Sequence, residues 1–125
     1  MIAEQKQIIE GSPLAYLARV VGIDGVLLQQ AEVASIRAQV FNRTTAVETY
    51  DDDDVSVSGS VFDELQTDDP RWTADKIGYN FAVVIPGAAF PDGSSRYQIE
   101  FTITPAVGDP FYLLARVATV DRFAD

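Results

Sequence analysis

The stretch "RYQIEFTIT" (residues 96–104) constrains the fold more than any other part of this 125-residue chain. Tyr97, Ile99, Phe101 and Ile103 fall on one side of an extended backbone, and Arg96, Gln98, Glu100 and Thr102 on the other. A helix repeats its faces every 3.6 residues, so this period of two would scatter the apolar groups around its circumference. The pattern describes a strand with one face in a core and the other in water.

The same rhythm recurs along the chain. In "AEVASIRAQVFNR" (31–43), Ile36, Ala38 and Val40 oppose Arg37, Gln39 and Phe41. In "DVSVSGSVF" (54–62), Val55, Val57, Gly59 and Val61 alternate with Ser56, Ser58, Ser60 and Phe62. "LAYLARVVG" (14–22), "TAVETY" (45–50), "GYNFAVVIP" (78–86) and "FYLLARVATV" (111–120) complete a predicted set of about seven strands. "GIDG" (22–25), "PDGSS" (91–95) and "PAVGDP" (105–110) supply turns between them. One helical reading competes, over "GVLLQQAEVASIRAQV" (25–40), where Leu27, Leu28, Val33 and Ile36 are loosely spaced. Short strands with turn signals every 8–12 residues or so predict an all-β fold, an immunoglobulin-like antiparallel β-sandwich.

The length suits one domain. We place the sandwich at residues 14–125. Residues 1–13, "MIAEQKQIIEGSP", read either as an added edge strand or as an arm that pairs with a neighbouring subunit. Ile8 and Ile9 are the apolar residues this segment would offer a partner.

The chain has neither Cys nor His. Thiolate metal sites, the common zinc and copper sites, and Ser–His or Cys–His nucleophile pairs are therefore not expected. No residue set suggests a catalytic centre or a cofactor site, and a non-enzymatic protein is expected. The opening "MIAEQKQIIEG" lacks the apolar core of a secretory signal. The most apolar stretch, "FAVVIPGAAF" (81–90), is interrupted by Pro86 and is shorter than the ~20 residues needed to cross a bilayer. A soluble protein without membrane contact is expected.

The net charge of −10 is concentrated. Residues 44–75 hold ten acidic side chains against Arg71 alone. Such a surface repels phosphate backbones, which argues against nucleic acid as a partner, and attracts basic protein surfaces or divalent cations. The densest part is "YDDDD" (50–54), where Asp51, Asp52, Asp53 and Asp54 form a candidate partner contact. A calcium-binding, adhesion-like domain is an alternative reading of that run. Its spacing fits a solvated turn better. Successive carboxylates on a strand point to opposite faces, and the EF-hand glycine and glutamate positions are missing.

The only Trp, Trp72, sits in "DPRWTADKIGYNF" (69–81). Asp69–Pro70 predicts a turn, and Gly78 a close approach at the start of a strand. We expect Trp72 to tuck beneath the sheets and cap the core. The alternative is a carbohydrate or cell-surface ligand module with Trp72 and Tyr79 as its stacking platform.

Two segments carry a resemblance: "VFDELQTDDPRWTADKIGYNF" (61–81) and "IPGAAFPDGSSRYQIEFTITPAVGDPFYLLARV" (85–117). An acidic "LQTD", a Trp, "GYNF", an "FP-G" turn, a "Y-I-F" strand and "G-PF" follow one another in that order. Weaker agreement extends over "SPLAYLARVVGIDG" (12–25) and "VASIRAQV" (33–40). The chain thus resembles small immunoglobulin-like virion proteins of tailed phages and prophages, of decoration, neck or baseplate type. The resemblance transfers no catalytic residues. It implies a structural protein assembled in the host cytoplasm, located on the virion, contacting other virion proteins and forming a homo-oligomer.

Overall fold

The computed structural model describes residues 4–22 and 24–122, so residues 1–3 of the proposed arm lie outside the described residues. In chain order the strands are β1 (Glu4–Ile9), β2 (Leu14–Ala18), β3 (Val33–Asn42), β4 (Val47–Asp52), β5 (Val61–Gln66), β6 (Tyr79–Ile85), β7 (Arg96–Pro105) and β8 (Phe111–Val120). A single helical turn, α1 (Val57–Ser60), precedes β5. The strands form a β-sandwich: a five-stranded sheet in the order β1-β8-β7-β3-β4 and a three-stranded sheet in the order β2-β6-β5.

Alternation fixes the register of the larger sheet. Ala38 lies opposite Phe101 and Val40 opposite Ile99, while Phe101 faces Leu113 across the next ladder. A slip by one residue would turn all of these to water. From the smaller sheet, Leu14, Tyr16, Phe81, Val83 and Ile85 meet them. Tyr16, Phe81 and Phe101 form the aromatic centre, with ring centroids 4.9 Å apart for Tyr16–Phe101, 5.4 Å for Phe81–Phe101 and 6.0 Å for Tyr16–Phe81.

Polar groups inside this core are satisfied by the chain's own loops. Tyr97 is fully buried at the start of β7; its hydroxyl accepts from the Asp92 N–H at 3.0 Å and packs beside Phe90, 5.3 Å away. Buried Thr119 donates to the Asp92 carbonyl at 2.7 Å. Buried Asn80 accepts from the Val20 N–H at 2.7 Å and donates to the carbonyls of Val20 (3.0 Å) and Leu28 (3.2 Å). That one amide holds both ends of the β2–β3 connection, whose Val20 and Leu28 close one end of the core.

The structure departs from the sequence-based expectations of strand number and pairing in three places. There are eight strands, because the N-terminal segment supplies β1. β1 is an edge strand of the larger sheet and runs parallel to β8, with Glu4 opposite Ala115 and Ile9 opposite Val120, so the sandwich is not wholly antiparallel. The turn at 10–13 carries the chain over to the other sheet instead of closing a hairpin, which leaves β1 free to run parallel.

The competing helix over 25–40 does not form among the described residues, and the favoured strand does, as β3. A 3-10 turn at Gln30–Glu32 leads straight into β3, and the carboxylate of Asp63 accepts from the Gln30 N–H at 2.7 Å. Finally, 54–62 is not one strand. Ser56 caps α1 by accepting from the Gly59 N–H at 3.1 Å, a local bond that competes with a ladder. Val55 and Val57 still reach the core, and the strand begins only at Val61 and runs on through "DELQ".

Candidate functional site

The four aspartates of "YDDDD" lie at the end of β4, an edge of the larger sheet, and in the loop that follows. Asp51 is clamped by Arg37 from β3, with Nε–Oδ1 at 2.9 Å and Nη2–Oδ2 at 2.7 Å. This hydrogen-bonded pairing holds the Asp51 carboxyl below the usual carboxylate range. Asp52 turns back on its own loop and accepts from the Asp54 N–H at 3.0 Å. Asp53 and Asp54 are exposed and make no ion pair among the described residues. Their neighbours thus point in different directions, and among the described residues no three His, Cys, Asp or Glu side chains gather into a metal-binding group.

Ile8 and Ile9 occupy the opposite edge. Ile8 packs against the core, whereas Ile9 is 50% exposed. Four strand spacings, roughly 19 Å at ~4.8 Å each, separate β1 from β4. The candidate partner contacts are therefore two separate edges, not one patch.

Residues 67–78 form a loop pinned by its own charges. Arg71 grips Asp69 (Nη2–Oδ2 2.6 Å), and the Trp72 N–H closes a turn on the Asp69 carbonyl at 3.0 Å. The Arg71 hydrogen bonds hold the Asp69 carboxyl at about 2. Asp75 accepts from the N–H groups of Ile77 (3.0 Å) and Gly78 (3.1 Å) and pairs with Arg19 at 2.8 Å. The Gly78 bond, ahead of Arg19, lowers the Asp75 carboxyl. Gly78 has φ +114°, and a Cβ there would collide with the Gln66 carbonyl oxygen, so the chain returns to β6 through a place only glycine fits.

Trp72 does not cap the core beneath the sheets as expected. It lies half-buried outside the central core, against Tyr79, with ring centroids 5.7 Å apart, and Phe62 meets Tyr79 from another side at 6.0 Å. The physical reason is that Val20 and Leu28 already fill the end of the core beside Asn80. Tyr79 is 5% exposed, which leaves it no open ring face for stacking on a ligand. Burial, with the charges of Asp68 and Asp69, pushes its hydroxyl pKa up. The Trp72 Nε1 is buried without a hydrogen-bond partner among the described residues.

A feature that the sequence reading did not single out lies on the three-stranded sheet. Its inward side is taken by Leu14, Tyr16, Phe81, Val83 and Ile85, so Ala15, Leu17, Ala82 and Val84 point outward. Ala15 pairs with Val84 and Leu17 with Ala82 across the β2–β6 ladder, and Val84 is 60% exposed. This apolar floor belongs to an open groove of about 450 Å³, rimmed by Asp52, Asp54 and the paired Asp69 and Arg71, with Leu17 buried at its base. A signal existed: "LAYLA" and "FAVVI" are apolar at both parities, whereas a sheet with one wet face alternates.

No protein-family model matches the chain, and no curated protein matches it in sequence.

Proposed function

We propose that the chain is a non-enzymatic structural component of a tailed-phage or prophage particle, an immunoglobulin-like module that docks on a capsid or tail assembly. The observation that carries this reading is the groove on the three-stranded sheet: a partly exposed apolar floor edged by Asp52, Asp54 and the Asp69–Arg71 pair, on a sandwich whose interior is already filled. An apolar patch that a lone domain leaves open marks a protein contact more often than a catalytic pocket. The shifted carboxylates support the non-enzymatic side. Asp51, Asp69 and Asp75 each face an arginine that ties strands or loops together.

The immunoglobulin-like kind is supported by topology and by one residue. β2-β6-β5 against β4-β3-β7-β8 follows the order in which strands B, E, D and C′, C, F, G stand in such domains. Tyr97, at the start of the seventh strand and bonded to the backbone five residues upstream, takes the place of their tyrosine corner. Mass spectrometry of gradient-purified particles from a host carrying the gene tests the role. The chain is expected at fixed stoichiometry with capsid or tail proteins, and its confinement to the soluble lysate would overturn the reading.

A further inference from the structure

The two outer faces of the sandwich carry opposite offers. The groove side presents Val84 and, half-buried, Ala15 and Ala82, with Arg71 neutralising Asp69 on its rim; beside it, Asp53 and Asp54 make no ion pair among the described residues and leave that side acidic. The opposite side is the outer face of the five-stranded sheet. There Gln98 pairs with Arg116, and Arg96 with Ala118. Arg43 joins the same end of this sheet, since its N–H donates to the Arg96 carbonyl at 2.6 Å. Arg43, Arg96 and Arg116 are exposed and make no ion pair among the described residues. Beside them, Tyr112 is 60% and Val120 36% exposed on the same strand.

In a chain of net charge −10, these three arginines at one end of the face are a local exception, with the acids of that face, Glu48 and Glu100, held by Gln39 and Gln98 farther along it. They match, in sign and in their apolar company, what the groove lacks. We propose that the groove binds the five-stranded face of a second copy of this chain, head to tail. The inference deepens the docking role above and rests on it for the choice of a protein partner. Because the two surfaces differ, the contact is heterologous: repeated, it closes a ring or runs on as a filament. Long-range attraction between the faces is screened by salt, while the apolar floor against Tyr112 and Val120 is not.

Sedimentation of the full chain at low and high ionic strength tests this. Assembly is expected at low salt and should weaken as salt rises. The double variants Asp53→Lys/Asp54→Lys and Arg96→Glu/Arg116→Glu exchange charge only on exposed positions, and circular dichroism verifies that each folds. Each should sediment as monomer alone, because like charges then meet in the contact. An equimolar mixture should assemble again, because the exchanged charges are complementary. A wild-type chain that stays monomeric at low salt, variants that still assemble singly, or a mixture that stays monomeric would each overturn the proposal. A chain that is monomeric in solution yet present on particles would sink the self-contact alone. A chain that assembles but is absent from particles would sink the virion role alone.

Discussion

The two sheets of this sandwich are held together in different ways. The larger sheet contains three ten-residue strands, β3, β7 and β8, whose ladders run almost unbroken and whose outer face is mainly polar. The smaller sheet has strands of five to seven residues, and β5 pairs with β6 only at Val61–Phe81 and Gln66–Tyr79 across an irregular register. Its outer face is apolar, and its loops are fastened by single polar side chains: Asn80, Gln30, and the Arg19–Asp75 and Arg71–Asp69 pairs. Long ladders build the first sheet; in the second, a short regular β2–β6 ladder and its core residues are supplemented at the loops by individual hydrogen bonds.

The comparison can be broken most easily at the shared aromatic centre. Phe101→Ala removes a fully buried ring that touches Tyr16 and Phe81, and should cost about 3–5 kcal/mol in chemical denaturation. A loss near 1 kcal/mol would mean that the larger sheet is less tightly packed than its geometry implies. Asn80→Ala tests the second mode. It leaves the N–H of Val20 and the carbonyls of Val20 and Leu28 without their buried partner, at a cost of about 1–3 kcal/mol. Hydrogen exchange should quicken first at residues 19–28 and in β6, leaving β7 and β8 protected. Uniform deprotection would erase the distinction between the sheets.

Acid should loosen the loop ties next. The Asp69 carboxyl lies at about 2 in the fold, below its ordinary 3.8. Its contribution is therefore complete above the unfolded value and disappears as pH falls through the folded one. Asp51 and Asp75 are lowered in the same sense. Thermal melts should decline between about pH 4 and pH 2, and Arg71→Ala should flatten part of that decline. An unchanged slope in the variant would detach the Arg71–Asp69 pair from stability. The smallest effect is expected at Trp72. Phe keeps the contact with Tyr79 and deletes an Nε1 that has no partner, so Trp72→Phe should change stability by less than ~0.5 kcal/mol. A larger loss would show that the indole N–H finds an acceptor in solution.

The same contrast explains what could be read in advance. β3, β7 and β8 follow from the alternation of Ile36–Ala38–Val40 and Tyr97–Ile99–Phe101, because one face meets a core and the other meets water. The strand β5 was hidden. "VSVSGSV" has strand-like alternation, yet the Ser56 hydroxyl closes a helical turn, while "DELQ" carries its acids into a strand on the strength of tertiary pairing. The groove was hidden for another reason. A face is apolar only when both parities of neighbouring strands are compared, and which strands are neighbours is a property of the fold. Free arginines on β7, β8 and the end of β3 were equally invisible as a group, since they lie far apart in the chain and meet only through the sheet order.

The parallel pairing of β1 with β8 has a consequence in time. Glu4 needs Ala115, and Ile9 needs Val120, as ladder partners. At ~5–20 residues per second, a ribosome would make the first of these roughly 5–20 s before the second. Until then the strand at residues 4–9 has nothing to pair with in its own chain, and the edge it will cover does not exist. β1 can thus be fastened only after β8 has been made, and a nascent chain stalled before residue 111 would hold an unpaired strand open to chaperones or to other chains.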